Sequence, residues 1–164
     1  MYDFIKKLLM KVPQEMRGKK ATAAPEYLFK TTDEDLTLLN DEQRSNFHTI
    51  TATLLYLSQR GRPDLQLATA FLCTRVKAPN EHDWKKLTHL VKYLDGTAHL
   101  PFVPSTKNQA TTIYIDGAHA VHTDMKGHVG VYATEGQRAM YSSSSKIKLN
   151  TASSSETEVV SVGE

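Results

Sequence analysis

Three carboxylates stand where metal-assisted chemistry could occur. Asp116 ends a short β-branched and aromatic run, T-T-I-Y-I-D, over 111–116, and Glu156 and Glu158 lie in the serine-rich stretch T-A-S-S-S-E-T-E at 151–158. On a strand, Thr112, Tyr114 and Asp116 share one face while Ile113 and Ile115 take the other. Mg²⁺ takes hard oxygen ligands, usually one or two carboxylates with water and substrate phosphate. A pair of such ions about 4 Å apart can activate water and stabilise the leaving oxygen of a phosphodiester. Two blander uses compete. Asp116-Gly117 is a common turn start, and both glutamates suit the positive end of a helix. Ser153 with Glu156 and Ser155 with Glu158 both fit the S-x-x-E capping box, so pattern alone leaves the helix-capping and metal-binding roles open between the two glutamates.

Other groupings point less sharply. His119, His122, Asp124 and His128 form a cluster on paper, yet on a strand 119 and 122 face opposite sides and no spaced zinc signature is present. Ser142 to Ser145 contain no G-x-S-x-G elbow. The cations Arg60, Arg62, Arg75 and Lys77 bracket one predicted helix. Lys85, His89 and Lys92 share a face of the next, opposite Trp84 and Leu87. Solvated helix faces are the ordinary reading of such charges, and a phosphate-tracking surface is the sharper one.

These residues must be held by ordinary elements. The 164 residues hold one domain or two small ones, 40% hydrophobic and 23% charged, with a net charge of +2 that does not by itself indicate nucleic-acid binding. Asp33, Glu34, Asp35, Asp41 and Glu42 make an acidic connector between more basic flanks. Cys73 alone cannot form an internal disulfide and reads as a small buried hydrophobe in a reducing compartment. No apolar run approaches the ~18 residues of a membrane span, and the lysine-interrupted N-terminus is not a signal peptide. The expectation is a soluble intracellular protein, cytoplasmic or nuclear.

Helical spacing recurs over 2–12, from Asp41 as N-cap to Arg60, from Asp64 as cap through Leu72, and over Glu81–Leu94 with Trp84, Leu87, Leu90, Val91 and Leu94 as the apolar face. Pro13, Gly61-Arg62-Pro63, Pro79-Asn80 and Asp95-Gly96 separate these helices. From Pro101 the period changes to 2. Thr111–Ile115, His128–Ala133 and Arg138–Ser142 read as strands, the serine run ends the third, and a last helix follows.

Four blocks in this order resemble copia-type retrotransposon polyproteins. L-L-Y-L-S-Q-R-G-R-P-D-L-Q-L-A-T-A-F-L (54–72) and W-K-K-L-T-H-L-V-K-Y-L-D-G-T (84–97) are similar to the region after the reverse-transcriptase palm. Y-I-D-G-A-H-A-V-H-T-D-M-K-G-H-V-G (114–130) and S-K-I-K-L-N-T-A-S-S-S-E-T-E-V-V (145–160) look like the opening of the ribonuclease H domain. The resemblance implies that Asp116 and Glu158 are catalytic, Mg²⁺-binding carboxylates, the family's S-S-T-E-A-E falling on Ser153 to Glu158. Departures are Gly117, expected to loosen the strand end where Ala or Ser is usual, and Thr157 in place of Ala.

No Y-x-D-D palm motif is present, and the remaining acidic ligands would follow Glu164. The implied fold is α+β: a helical reverse-transcriptase connection-like region over 1–103, then the N-terminal part of an RNase H-like domain over 104–164, with three antiparallel strands and one C-terminal helix. The implied function is that of a fragment of a reverse transcriptase/RNase H polyprotein. Its parent activity is RNA-directed DNA synthesis and Mg²⁺-dependent cleavage of RNA in RNA–DNA hybrids, with little or none expected of this chain alone. Its partners would be an RNA–DNA hybrid or other nucleic acid and the remaining parts of the polyprotein, with no membrane. The alternatives are a non-catalytic nucleic-acid-binding remnant, with Arg62, Lys85, Lys92 and Lys146 on phosphates, and an inert gene product.

Overall fold

The structure is a computed structural model that describes residues 2–31, 37–100, 110–136 and 138–163. The connector acids Asp33, Glu34 and Asp35 and the expected boundary at 103 lie outside the described residues. The fold is α+β, with helices first and a three-stranded antiparallel sheet closed by a C-terminal helix. The chain divides into two compact units. One comprises Met1–Leu28 and Thr32–Pro101; the other comprises Phe29–Thr31 and Phe102–Glu164.

The first unit is helical: α1 (Tyr2–Lys11), α2 (Asp41–Arg60), α3 (Gln66–Cys73) and α4 (Glu81–Gly96), with 3-10 turns at Gln14–Met16 and Pro63–Leu65. The apolar stripes read from the sequence meet in one core. Phe47, Leu54 and Leu57 of α2, Phe71 and Leu72 of α3, and Leu87, Leu90 and Leu94 of α4 are fully buried, with Met16 and Leu65 between them. Burial of such side chains stabilises by about 1.5–3 kcal/mol each.

α2 and α4 begin with the same kind of cap. The N-cap of α2 is Asn40, not Asp41: its Oδ1 accepts from the Gln43 N–H at 2.8 Å while Gln43 reaches back to the Asn40 N–H. Asn80 and Asp83 repeat this reciprocal cap on α4. In both places Asn offers a short amide oxygen just before the helix, and Asp41, inside the first turn of α2, serves the dipole.

Asp64 does not cap α3, which begins at Gln66 without a side-chain cap. Its carboxylate instead accepts from Arg62 Nε at 2.9 Å, Arg62 Nη2 at 2.7 Å and the Tyr93 hydroxyl at 2.9 Å. Burial alone would raise the Asp64 pKa, but these hydrogen bonds overcome it and hold the group below the ordinary carboxylate value. Arg62 also donates to the Thr97 carbonyl and hydroxyl, which ties the α2–α3 turn to the end of α4. α4 runs on through Asp95-Gly96, because Asp95 is held by Arg17 and by the Gly18 N–H rather than starting a turn.

The second unit carries β1 (Thr111–Ala118), β2 (His128–Glu135), β3 (Arg138–Lys146) and α5 (Ser154–Gly163), the sheet order being β1-β2-β3. Each strand is longer than expected. Ser142 to Ser145 lie inside β3, paired with Tyr132, Val131, Gly130 and Val129, so the serine run does not end the strand. Small polar residues suit this position because each faces a residue across the ladder rather than a turn. β1 and β2 pair without a shift, whereas β3 carries one extra residue near Met140. Among the described residues no helix is long and apolar enough to cross a membrane.

Arg62 is 6% exposed. Arg62→Ala is therefore expected to lower the unfolding free energy of the helical unit by about 2 kcal/mol, less than a fully buried pair because Asp64 is partly solvated. Urea unfolding followed by Trp84 fluorescence measures this; a change below about 0.5 kcal/mol would mark Arg62 as a surface cation.

Candidate functional site

The two predicted ligand carriers meet where α5 packs on β1. A Cβ built on Gly117 would lie 2.5 Å from Ser161 Oγ, 3.1 Å from Thr157 Cγ2 and 3.3 Å from the Thr157 carbonyl oxygen. Gly127 is as tightly placed, with the Ala118 carbonyl 2.8 Å and Ile147 Cδ1 3.0 Å from such a Cβ. The expectation that Gly117 loosens the strand end is thus corrected: its missing side chain is what lets the helix approach. Gly117 adjoins Asp116 and Thr157 adjoins Glu158, so the two carboxylates are carried at adjacent points of this contact.

Their side chains leave it in different directions. Pleating sends Asp116 to the sheet face opposite Gly117, hence opposite α5, in line with its cross-strand partner Gly130, whose added Cβ would meet nothing within 4 Å. Asp116 and Glu158 are both exposed, and among the described residues neither has a hydrogen-bond or ion-pair partner. An ion touching both would have to sit off the edge of β1 that faces away from β2. Two exposed carboxylates are hard oxygen donors of the kind Mg²⁺ accepts while keeping most of its waters. Among the described residues no group of three or more His, Cys, Asp or Glu could hold a metal ion.

The helix start treats the two glutamates differently. Ser153 Oγ accepts from the Glu156 N–H at 3.2 Å, and Glu156 Oε2 accepts from the Ala152 N–H at 2.6 Å. Glu156 is thereby committed to the backbone and Glu158 is left open. Thr157, where the resemblance suggests Ala, is more than a small loss of helix propensity. Its buried hydroxyl lies 2.6 Å from Thr151 Oγ1 and 3.1 Å from His119 Nδ1, and it donates to the Ser153 carbonyl. His119 also reaches Thr151 at 3.1 Å, which pins the loop after β1 to the start of α5. Sequence reading missed this network; a Thr on the buried side of a helix start is the only signal for it.

The histidine cluster divides in three. His119 serves α5, and Asp124 takes Lys146 Nζ at 2.6 Å. His122 and His128 come together, Nε2 to Nδ1 at 3.1 Å, and His128 Nε2 continues to Ser144 Oγ at 2.8 Å. The Phe29 ring lies 5.5 Å from His128 and 6.2 Å from His122, so a connector residue covers the pair. Burial, and then the neighbouring His122, push the His128 pKa down to about 4.

Of the expected phosphate-binding cations, Arg62 is occupied internally and Lys146 is paired with Asp124. Lys85 and Lys92 instead line an open cleft of about 500 Å³ in the helical unit, with Lys20, Tyr27, Trp84 and the carboxylates Glu15 and Glu81. Trp84 therefore does not face away from the cations as expected. It stands beside them, its indole N–H donating to Glu15 Oε1 at 2.8 Å, because position 84 lies in the first turn of α4, beyond the core formed by Leu87, Leu90 and Leu94. Compared with known protein families, curated proteins and solved structures, the chain matches none of them.

His128 is 3% exposed and neutral when folded, whereas its unfolded pKa is near 6.5. Between about pH 6.5 and 4 the unfolded chain binds the proton and the folded one does not, so stability falls as the pH is lowered through this window, by on the order of 2 to 3 kcal/mol. Hydrogen exchange of β2 amides between pH 7 and 4.5 measures it, and His128→Phe is expected to flatten the dependence.

Proposed function

We propose that this chain is a fragment of a copia-type retrotransposon polyprotein, its second unit the opening part of an RNase H-like domain and its first unit connection-like. In this reading Asp116 and Glu158 are two ligands of a Mg²⁺-dependent site for RNA in RNA–DNA hybrids. The observation that carries it is the docking of α5 onto β1 at Gly117 and Thr157, the neighbours of the two carboxylates. A meander followed by a helix that returns to the first strand gives the carboxylates adjacent anchor points although 42 positions separate them (158 − 116). The cap that engages Glu156 supports Glu158 as the ligand. When bound, Mg²⁺ would supply charge neutralisation at a phosphate and an activated water. Asp116 and Glu158 would orient the ion through direct or water-bridged oxygens. Two solvated carboxylates hold such an ion weakly, so this chain is expected to hydrolyse hybrids little or not at all.

A second reading is favoured by the cleft. Lys20, Lys85 and Lys92 beside Trp84 and Tyr27 offer cations and aromatic faces together, the pairing that a nucleic-acid strand uses. Binding of an RNA–DNA hybrid by the full chain that weakens steeply with salt, and that Lys85→Ala/Lys92→Ala reduces, would support it.

The metal reading is tested by titrating Mg²⁺ into the isotopically labelled chain. Millimolar-range shifts are expected at the amides of Gly117 and Ala118 and at those of Glu158 and Val159, and Asp116→Asn should abolish both sets. Shifts at one carboxylate alone, or at neither in a folded chain, would sink the shared site.

A further inference from the structure

The cleft of the helical unit differs between its two ends. One stripe of α4 lines it from end to end: Glu81, Lys85, Thr88 and Lys92 recur at helical spacing, with Trp84 and His89 on the flanks. The segment after α1 crosses this stripe and is held at three points. Glu15 Oε1 takes the Trp84 indole N–H at 2.8 Å. The Lys92 stem carbons lie 3.7 to 3.8 Å from where a Cβ on Gly18 would stand. His89 Nε2 donates to the Thr22 carbonyl at 2.9 Å, since a carbonyl only accepts. Lys20, midway between Gly18 and Thr22, is thereby brought to the His89–Lys92 end.

The ends carry opposite charge. At one stand Lys20, His89 and Lys92, and among the described residues no carboxylate pairs with them. Burial holds the His89 pKa below its ordinary value against the Thr22 hydrogen bond, and the charge of Lys20 adds to the lowering. Such a cluster repels itself until an anion enters. At the other end are Glu15 and Glu81 with Gln43, whose Oε1 accepts from the Asn40 N–H and leaves its amide nitrogen to donate. Glu81 and Lys92 are about 16 Å apart along α4.

We propose that the cleft is a pocket for a single guanine nucleotide with a terminal phosphate, its phosphate among Lys20, His89 and Lys92 and its base beside Trp84, Glu81 and Gln43. This rests on the nucleic-acid reading of the cleft and narrows it. A terminal phosphate carries about two negative charges, which suits two ammonium groups and an imidazole that donates from Nδ1 once protonated. A strand running through the whole cleft does not suit it, because its next phosphodiester would meet Glu15 and Glu81. The same carboxylates turn away an acidic peptide. They select the base as well. A carboxylate only accepts, so it takes the adjacent N1–H and N2–H donors of guanine while the Gln43 amide donates to O6. Adenine and uracil do not present that edge. A free nucleotide and the phosphorylated end of a strand offer the same chemistry.

Trp84 is the only tryptophan in the chain, so its fluorescence reads the cleft while equilibrium dialysis measures affinity. Guanosine 5′-monophosphate (GMP) should bind the full chain with a Kd below about 1 mM and quench Trp84. Guanosine, which lacks the phosphate, and the adenosine and uridine monophosphates should each bind at least about tenfold more weakly. Lys92→Ala should weaken GMP about tenfold with the helical circular dichroism unchanged. Glu81→Gln should reduce the preference for GMP over the adenosine nucleotide. An RNA–DNA hybrid with a 5′-phosphate displacing GMP, where its 5′-hydroxyl counterpart does not, identifies a strand end as the source; displacement by neither identifies the free nucleotide. Absence of GMP binding overturns the proposal, as do equal affinities for GMP and guanosine or for the three nucleotides, or binding indifferent to Lys92→Ala. If GMP fails while the hybrid still binds in a salt-dependent way that Lys85→Ala/Lys92→Ala reduces, the strand reading stands without the pocket; if both fail, both readings fall.

Discussion

The second unit depends on one close approach. Gly117 and Gly127 remove two side chains just where Thr157 and Ser161 of α5 come down on the sheet, and any Cβ there would overlap backbone or helix atoms. A helix normally packs on a sheet through interlocking side chains; here it packs through their absence on one side. The contact would be slippery if apolar fit were all that fixed it. Thr157 prevents that: its hydroxyl is shared among Thr151, His119 and the Ser153 carbonyl, so translation of α5 along β1 would strand buried polar groups. The position of both candidate ligands follows from this contact.

The helical unit uses polar groups in a comparable way at its own turn. Six leucines and two phenylalanines would bring α2, α3 and α4 together in several registers, since apolar fit discriminates weakly among them. Arg62 distinguishes them. Its guanidinium fits the Asp64 carboxylate and the Thr97 oxygens only when the α2–α3 turn lies against the end of α4, and Tyr93 completes the set. Such a buried charge would be expensive in any register that removed its partners. The same arginine cannot then be a surface ligand for phosphate. A long cationic side chain in a Gly-Arg-Pro turn is ambiguous until its burial is known.

The helices, the three-strand meander and the return of a helix were legible because they rest on periodicity and on punctuation by Pro, Gly and Asn. Element ends were less so. A β-branched or aromatic run marks the middle of a strand, whereas the ladder continues as far as partners exist, which is how Ser142 to Ser145 came to lie inside β3. Caps were misread by one residue because Asn40-Asp41 offers two oxygens and only backbone geometry chooses between them. At the candidate site, position 117 was read for its conformational freedom, yet its effect lies in the space it leaves, which depends on a helix some 40 residues later. The His122–His128–Ser144 chain was invisible for a related reason. Its members are set side by side by strand register, and Phe29, more than 90 residues before His122, covers them.

The exposure of the sheet has a chemical consequence for the candidate ligands. α5 covers one face near Gly117, and Phe29 covers the other near His128, while Ile113, Tyr114, Tyr132 and Tyr141 stay largely in solvent. Asp116 lies on the uncovered part of its face, and Glu158 on an open side of α5. In that setting a carboxylate–cation contact is made at high dielectric, where a unit-charge contact at 4 Å is worth about 1 kcal/mol, several times less than at a partly shielded position. Mg²⁺ also gives up its waters reluctantly. Correct placement of two acidic residues is thus not sufficient for a tight ion site. In the proposed site, cover over the edge of β1 that faces away from β2 would lower the local dielectric and supply further oxygens, so such cover and ion binding at Asp116 and Glu158 would be coupled.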